Sequence, residues 1–94
     1  MHDTNIGETV RVAVRFTGLS GEPVAATGVR IAAKRPDKTV IEGTVVPGAA
    51  TGEFEARFVA DMIGTWLTLA ECAGPEVVRD EGRFVVSRLR FDEP

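Results

Sequence analysis

Apolar and polar residues alternate along most of the chain, which is the pattern of β-strands with one buried face. The clearest example is the segment 53–58, where Phe54, Ala56 and Phe58 alternate with charged residues. Period-two patterning of this kind predicts strands over 10–16, 29–34, 39–46, 53–58, 65–72 and about 78–87. No segment has a helical period, so the sequence predicts an all-β protein.

Segments rich in Gly and Pro separate these strands at intervals of about ten residues. They are Thr17–Pro23, Arg35–Lys38, Pro47–Gly52 and Ala73–Glu76. Short strands at this spacing favour an antiparallel sandwich of six to seven strands. The chain of 94 residues is long enough for one domain, 1–94, with a core over about 6–87 and a C-terminal arm over 88–94.

The hexapeptide Asp61-Met62-Ile63-Gly64-Thr65-Trp66 joins two of the predicted strands. An acidic residue, a short corner and then Gly-Thr-aromatic is typical of the turn between the sheets of immunoglobulin-like sandwiches. We therefore expect Asp61, Gly64 and Trp66 to form a structural corner, with the Trp66 indole buried between the sheets. The predicted fold is an immunoglobulin-like antiparallel β-sandwich.

Two pairs of apolar residues are candidates for a protein interface. If Trp66 points inward, Leu67 and Leu69 point outward from the same strand, where either a loop covers them or they are exposed for assembly. Leu89 and Phe91 lie in the predicted C-terminal arm. The simpler interpretation of this arm is a continued edge strand, and the alternative is an arm that docks on a neighbouring subunit.

The charge and the single cysteine limit the partners and the compartment. A net charge of −3 with scattered basic residues argues against nucleic acid as a partner. One cysteine, Cys72, permits no intrachain disulfide, which fits folding in a reducing cytoplasm. The N-terminus has no signal-peptide pattern, and no apolar run is long enough for a membrane span, so we expect neither secretion nor a membrane partner.

The residues that could carry chemistry do not form a catalytic set. His2 is the single histidine and lies near the N-terminus, while Cys72 falls within an apolar strand. Glu53 and Glu55 share one face of a strand about 6–7 Å apart, which is the arrangement of a solvated face rather than of a hydrolase cleft. The acidic residues are too dispersed for calcium. We expect no catalytic residue, no cofactor, no metal and no enzymatic activity.

Several short motifs occur in a characteristic order: Ile6-Gly7-Glu8-Thr9-Val10-Arg11, Arg35-Pro36-Asp37-Lys38, Thr51-Gly52-Glu53-Phe54, Ile63-Gly64-Thr65-Trp66 and Glu81-Gly82-Arg83-Phe84-Val85-Val86. In this order the chain resembles the small stand-alone immunoglobulin-like structural and accessory proteins of tailed bacteriophages and phage-derived particles. The similarity extends from about Ile6 to Val86. One departure is Lys38, which stands where those proteins have glycine.

The resemblance implies a virion-associated structural or decoration subunit, made in the bacterial cytoplasm and acting through protein–protein contacts. Its partners would be other virion or particle proteins or a second copy of the chain. The alternative is an immunoglobulin-like binding module for a carbohydrate or surface ligand, excised from a larger protein. That alternative predicts an exposed aromatic platform, for which the five Phe and one Trp provide little material.

Overall fold

Eight β-strands form two sheets in the computed structural model, which describes residues 4–18, 20–75 and 77–88. The strands are β1 (Thr4–Asn5), β2 (Thr9–Arg15), β3 (Arg30–Lys34), β4 (Val40–Glu42), β5 (Val46–Pro47), β6 (Glu53–Val59), β7 (Gly64–Cys72) and β8 (Val78–Ser87). The prediction of an all-β sandwich is confirmed. The count of eight includes β1 and β5, which are only two residues long. Without these two short strands the count lies within the predicted six to seven.

The two sheets differ in size. One has five strands in the order β1-β8-β7-β3-β4, and the other has three in the order β2-β6-β5. The chain passes from one sheet to the other between β1 and β2, β2 and β3, β4 and β5, and β6 and β7. These crossings let strands that are distant in sequence face one another, so the core is built from non-local contacts.

Alternation places the core residues as the sequence predicts. Along β2 every second residue is exposed, and Val10, Val12 and Val14 pack against the core from the other face. The centre of the core consists of residues that are less than a tenth exposed, namely Ile31, Ala33, Ala56, Phe58, Ala60, Trp66, Ala70 and Val86. Four of these eight are alanines, which let the two sheets approach closely around the large Trp66 side chain.

The expected strand over 39–46 is wrong as a single element. It divides into β4, at the edge of the five-stranded sheet, and β5, which pairs with β6 in the other sheet. The chain crosses at Gly43, whose amide donates to the carbonyl of Ile31 at 2.8 Å. A Cβ atom at Gly43 would lie 2.7 Å from the Ala56 Cβ, so only glycine fits where the backbone passes between the sheets.

The sandwich is antiparallel, as predicted, except at its first strand. β1 pairs in parallel with β8, with Thr4 opposite Val86 and Asn5 opposite Ser87. A tight turn then sends the chain into the other sheet, and Glu8 holds this turn by accepting a hydrogen bond from the Asn5 amide at 2.6 Å. The early change of sheet leaves β1 too short to extend along most of β8.

Candidate functional site

The corner at Asp61–Trp66 positions the candidate interface. Asp61 forms an ion pair with Arg35 at 3.6 Å, which holds the corner against the turn between β3 and β4. Gly64 has φ +129°, and a Cβ atom there would lie 2.7 Å from Pro36 Cγ. Trp66 is fully buried, as predicted. Because side chains alternate along a strand, an inward Trp66 directs Leu67 and Leu69 away from the core.

We use the term outer face for the side of the five-stranded sheet that points away from the three-stranded sheet. Leu67 lies on this face and is 50% exposed, and Leu69 is half-buried there. The sequence left two possibilities for these leucines, a covering loop or exposure. Since Leu67 is half exposed, no described loop covers it. The structure thus places both leucines where the sequence predicts, and their role as an interface stays a prediction.

Strand register arranges the outer face in rows that run across the sheet, since residues directly opposite one another share a face. One row contains Val40, Lys34, Leu67 and Arg83, from β4, β3, β7 and β8 in that order. The next row contains Glu42, Ala32, Leu69 and Glu81, from the same strands. The apolar members of the two rows form a continuous patch, flanked by charged residues.

A shallow depression of about 200 Å³ lies over this patch. Leu67, Leu69, Ala32 and Val40 provide its apolar lining. Val40 is 50% exposed, while Ala32 is buried beneath its neighbours. Small molecules usually bind in cavities that enclose most of their surface. This depression is open and mostly apolar, so it is better suited to side chains of a protein partner.

Four charged side chains form a network beside the patch. The Arg30 guanidinium donates to both carboxylate oxygens of Glu42, at 2.7 Å and 2.5 Å, and to Glu71 at 3.2 Å. Arg79 donates to the other oxygen of Glu71 at 2.8 Å. These contacts join β4, β3, β7 and β8, so the network fixes the outer face as one surface across four strands.

The network shifts the pKa values of its members in the direction that strengthens it. Hydrogen bonds from Arg30, and then from Arg79, lower the pKa of Glu71. Hydrogen bonding to Arg30 lowers the pKa of Glu42. The same contacts raise the pKa of Arg30, with Glu42 the larger contributor. The two cations and two anions compensate each other, so this part of the face offers little net charge to a partner.

The charges nearest the leucines are different, because they lack such compensation. Lys34 and Arg83 lie on either side of Leu67, and neither forms an ion pair with another described residue. Glu81, beside Leu69, has no ion-pair partner in the described part of the chain either. Leu67 is therefore an exposed apolar residue between two available cations.

The other residues singled out in the sequence do not join this face. Leu89 and Phe91 lie outside the described residues, as does His2. Cys72 is buried. Glu55 lies on the outer side of the three-stranded sheet, where it pairs with Arg11 at 3.5 Å. Among residues 4–18, 20–75 and 77–88, no cluster of three or more His, Cys, Asp or Glu side chains could hold a metal ion.

The aromatic side chains of the described residues also lie away from the candidate surface. Trp66, Phe16 and Phe58 are buried, and Phe54 and Phe84 are half-buried. Within the described residues no exposed aromatic platform exists, so no observation favours the carbohydrate-binding alternative.

No helix among the described residues has the length and apolarity to cross a bilayer.

Sequence patterning found the two leucines but missed their surroundings. Ala32 and Val40 complete the patch from β3 and β4, and the sequence signal for them was weak because each is a short apolar residue in an alternating segment. The network of Arg30 with Glu42 and Glu71 depends on strand register, which patterning does not supply.

Comparison of the chain with models of known protein families and with curated proteins gave no match.

Proposed function

We propose that this domain is a structural or decoration subunit of a phage or phage-like particle, and that it binds another particle protein through the outer face of its five-stranded sheet. The observation that carries the proposal is the exposed apolar patch around Leu67. Its position in the centre of a sheet, rather than at a loop tip, gives a partner a rigid surface. The proposal involves association only and no chemical step.

We also propose that the sandwich is immunoglobulin-like, which its strand order supports. In immunoglobulin domains, strands B, E and D belong to one sheet and strands C, F and G to the other. Assigning β2, β6 and β5 to the first set and β3, β7 and β8 to the second reproduces that neighbour order. Folds of this kind serve as scaffolds whose function depends on the residues that their surfaces present.

The residues around Leu67 support a proposal for the chemistry of the partner surface. Lys34 and Arg83 on either side favour a partner surface with carboxylates around an apolar side chain that enters the hollow. The compensated network at Arg30 and Glu71 would lie at the rim, where charges add little affinity. The partner is therefore expected to be a protein with an acidic margin around an apolar protrusion.

Binding to particles tests this proposal. Virions or phage-like particles purified from the cells that encode the chain should contain it, as measured by mass spectrometry, and particles stripped of it should rebind the purified protein in co-sedimentation. The double variant Leu67→Ser/Leu69→Ser should fold normally and bind about tenfold more weakly or worse, because central apolar contacts dominate interface energies. Unfolding of this variant would instead mean that the leucines support the core.

Val46→Ser is the matched control. Val46 is 49% exposed, close to the 50% of Leu67. It lies on the outer side of the three-stranded sheet, opposite Glu55. Its substitution should leave binding unchanged. If the chain is absent from the particles, or if both variants bind as the wild type does, the proposal is wrong.

A further inference from the structure

Within the described residues, the edge of β8 that faces away from β7 has a strand partner only at its end. β1 pairs with β8 only at Val86 and Ser87, and within the described residues no other strand lies on that side. The Ile6 amide donates to the Ser87 carbonyl at 2.9 Å, so Ser87 directs its backbone groups away from β7. Since this direction alternates along a strand, Arg79, Glu81, Arg83 and Val85 also present their N–H and C=O groups to the open edge.

An open edge of this length is a template for another strand. Natural proteins often protect such edges with charges, and β8 contains four charged residues between Val78 and Phe84. Their order matters, because like charges that meet across the new ladder destabilise pairing and opposite charges stabilise it. The order along the edge is Arg79, Glu81, Arg83, with Gly82 between the last two.

We infer that β8 pairs edge to edge with β8 of a second copy, antiparallel, with Gly82 on the two-fold axis. In this register Glu81 lies opposite the partner's Arg83, and symmetry repeats the pair on the other side of the axis. Both residues belong to the outward-directed set, so the backbone groups and the side chains pair in the same register. The new ladder extends over Arg79–Val85, because β1 already occupies the edge at Val86 and Ser87. The two sheets join along this segment.

Neighbouring registers are unfavourable. A two-fold axis at Glu81 places Glu81 opposite its own copy and Arg79 opposite Arg83. An axis at Asp80 or at Arg83 likewise opposes two identical charges. Among axes at Asp80, Glu81, Gly82 and Arg83, only the axis at Gly82 brings no like charges together, so within this charged segment the charge order favours Gly82. Gly82 also presents no side chain at the axis, where the two backbones approach most closely.

The pairing edge adjoins the patch around Leu67 and shares Arg83 with its flank, so in the dimer Lys34 is the unpaired cation that remains beside Leu67. The inference does not depend on particle binding. Pairing at β8 would set two outer faces side by side in one plane, each with its own leucines exposed. The dimer would therefore present two partner sites rather than bury them. A face-to-face dimer through the leucines would bury both.

Charge reversal tests the register. The wild-type protein should show a reversible monomer–dimer equilibrium by sedimentation velocity, over a concentration series up to about 1 mM. Glu81→Arg and Arg83→Glu should each weaken the dimer about tenfold or more, because each replaces two attractive pairs with two repulsive ones. The double variant Glu81→Arg/Arg83→Glu should restore the dimer to within about threefold of wild type, because it exchanges the charges without changing the register.

Two further variants separate the edge from the face. Arg83→Pro removes an outward N–H that the partner strand needs, at an edge position where proline is tolerated, and should abolish the dimer with the fold intact by circular dichroism. Lys34→Glu reverses a cation on the outer face, away from β8, and should not affect the dimer. A protein that is monomeric throughout the series would overturn the inference, as would a dimer that the double variant fails to rescue.

Discussion

The indole nitrogen of Trp66 donates a hydrogen bond to the carbonyl oxygen of Met62, four residues earlier, at 2.9 Å. The ring itself is fully buried and stacks on Phe84, with 5.4 Å between the ring centroids. One side chain thus closes the corner before β7 and fills the space between the sheets. The hydrogen bond also satisfies the polar group that would otherwise make a buried indole costly.

Replacement of Trp66 by Phe should reduce the free energy of unfolding by about 2–3 kcal/mol, since it removes the hydrogen bond and leaves a cavity. Urea denaturation followed by circular dichroism measures the change. Phe84→Leu removes the stacked ring but leaves the bond to Met62, and should cost about 1–2 kcal/mol. A Trp66→Phe variant as stable as wild type would show that this hydrogen bond does not hold the corner.

Replacement of Gly64 by Ala should be more damaging than an ordinary change of a turn glycine. Its φ of +129° disfavours any side chain, and the new Cβ would meet Pro36 Cγ at 2.7 Å. We expect a loss of about 2–4 kcal/mol in the free energy of unfolding. Gly7→Ala is the control, because Gly7 has φ +92° with no atom within 4 Å of an added Cβ, and should cost about 1 kcal/mol. Equal losses would mean that the contact with Pro36 is unimportant.

The strands and their buried faces were predictable because alternation reports directly on which side of a sheet is buried. Trp66 inward and Leu67 outward follow from one local corner and a period of two. The crossing at Gly43 was not predictable in the same way. Glycine is required there because an added Cβ would meet Ala56 and Phe58 of the opposite sheet and the Ile31 carbonyl, and no local pattern around Gly43 reveals these neighbours.

The candidate site was predictable only in part, for a related reason. Leu67 and Leu69 are adjacent on one strand, so a single alternating segment identifies them. Lys34 and Val40 reach the same patch through the pairing of three strands, and register is set by contacts that are distant in sequence. The open edge of β8 likewise became visible only once β1 was seen to pair with its last residues.

The turn between β3 and β4 gives a prediction of increased stability. Lys38 has φ +72°, a left-handed conformation that favours glycine, and its amide donates to the Arg35 carbonyl at 2.8 Å. Lys38→Gly should raise the free energy of unfolding by about 0.5–1 kcal/mol, which is the relief of the left-handed strain less the greater chain entropy of unfolded glycine. Urea denaturation measures this gain, and Lys38→Ala, which keeps the strain, should show none. A loss of stability in the glycine variant would contradict the interpretation.

Acid should weaken the network that joins the strands of the outer face. Arg30 and Arg79 lower the pKa of Glu71 below its ordinary value of 4.5, so its ion pairs stabilise the folded state above that pH. Their contribution is lost as the pH falls through the lower, folded-state pKa, because the carboxyl is then protonated in both states.

Thermal unfolding of wild type and Glu71→Gln between about pH 7 and pH 2 measures this effect. The variant should have a lower Tm than wild type near neutral pH, and the difference in Tm should shrink below about pH 4. Asp80→Asn is the control, because Asp80 is exposed on β8 and forms no ion pair with another described residue. A Tm difference for Glu71→Gln that stays constant across this range would show that the ion pairs of Glu71 do not stabilise the fold.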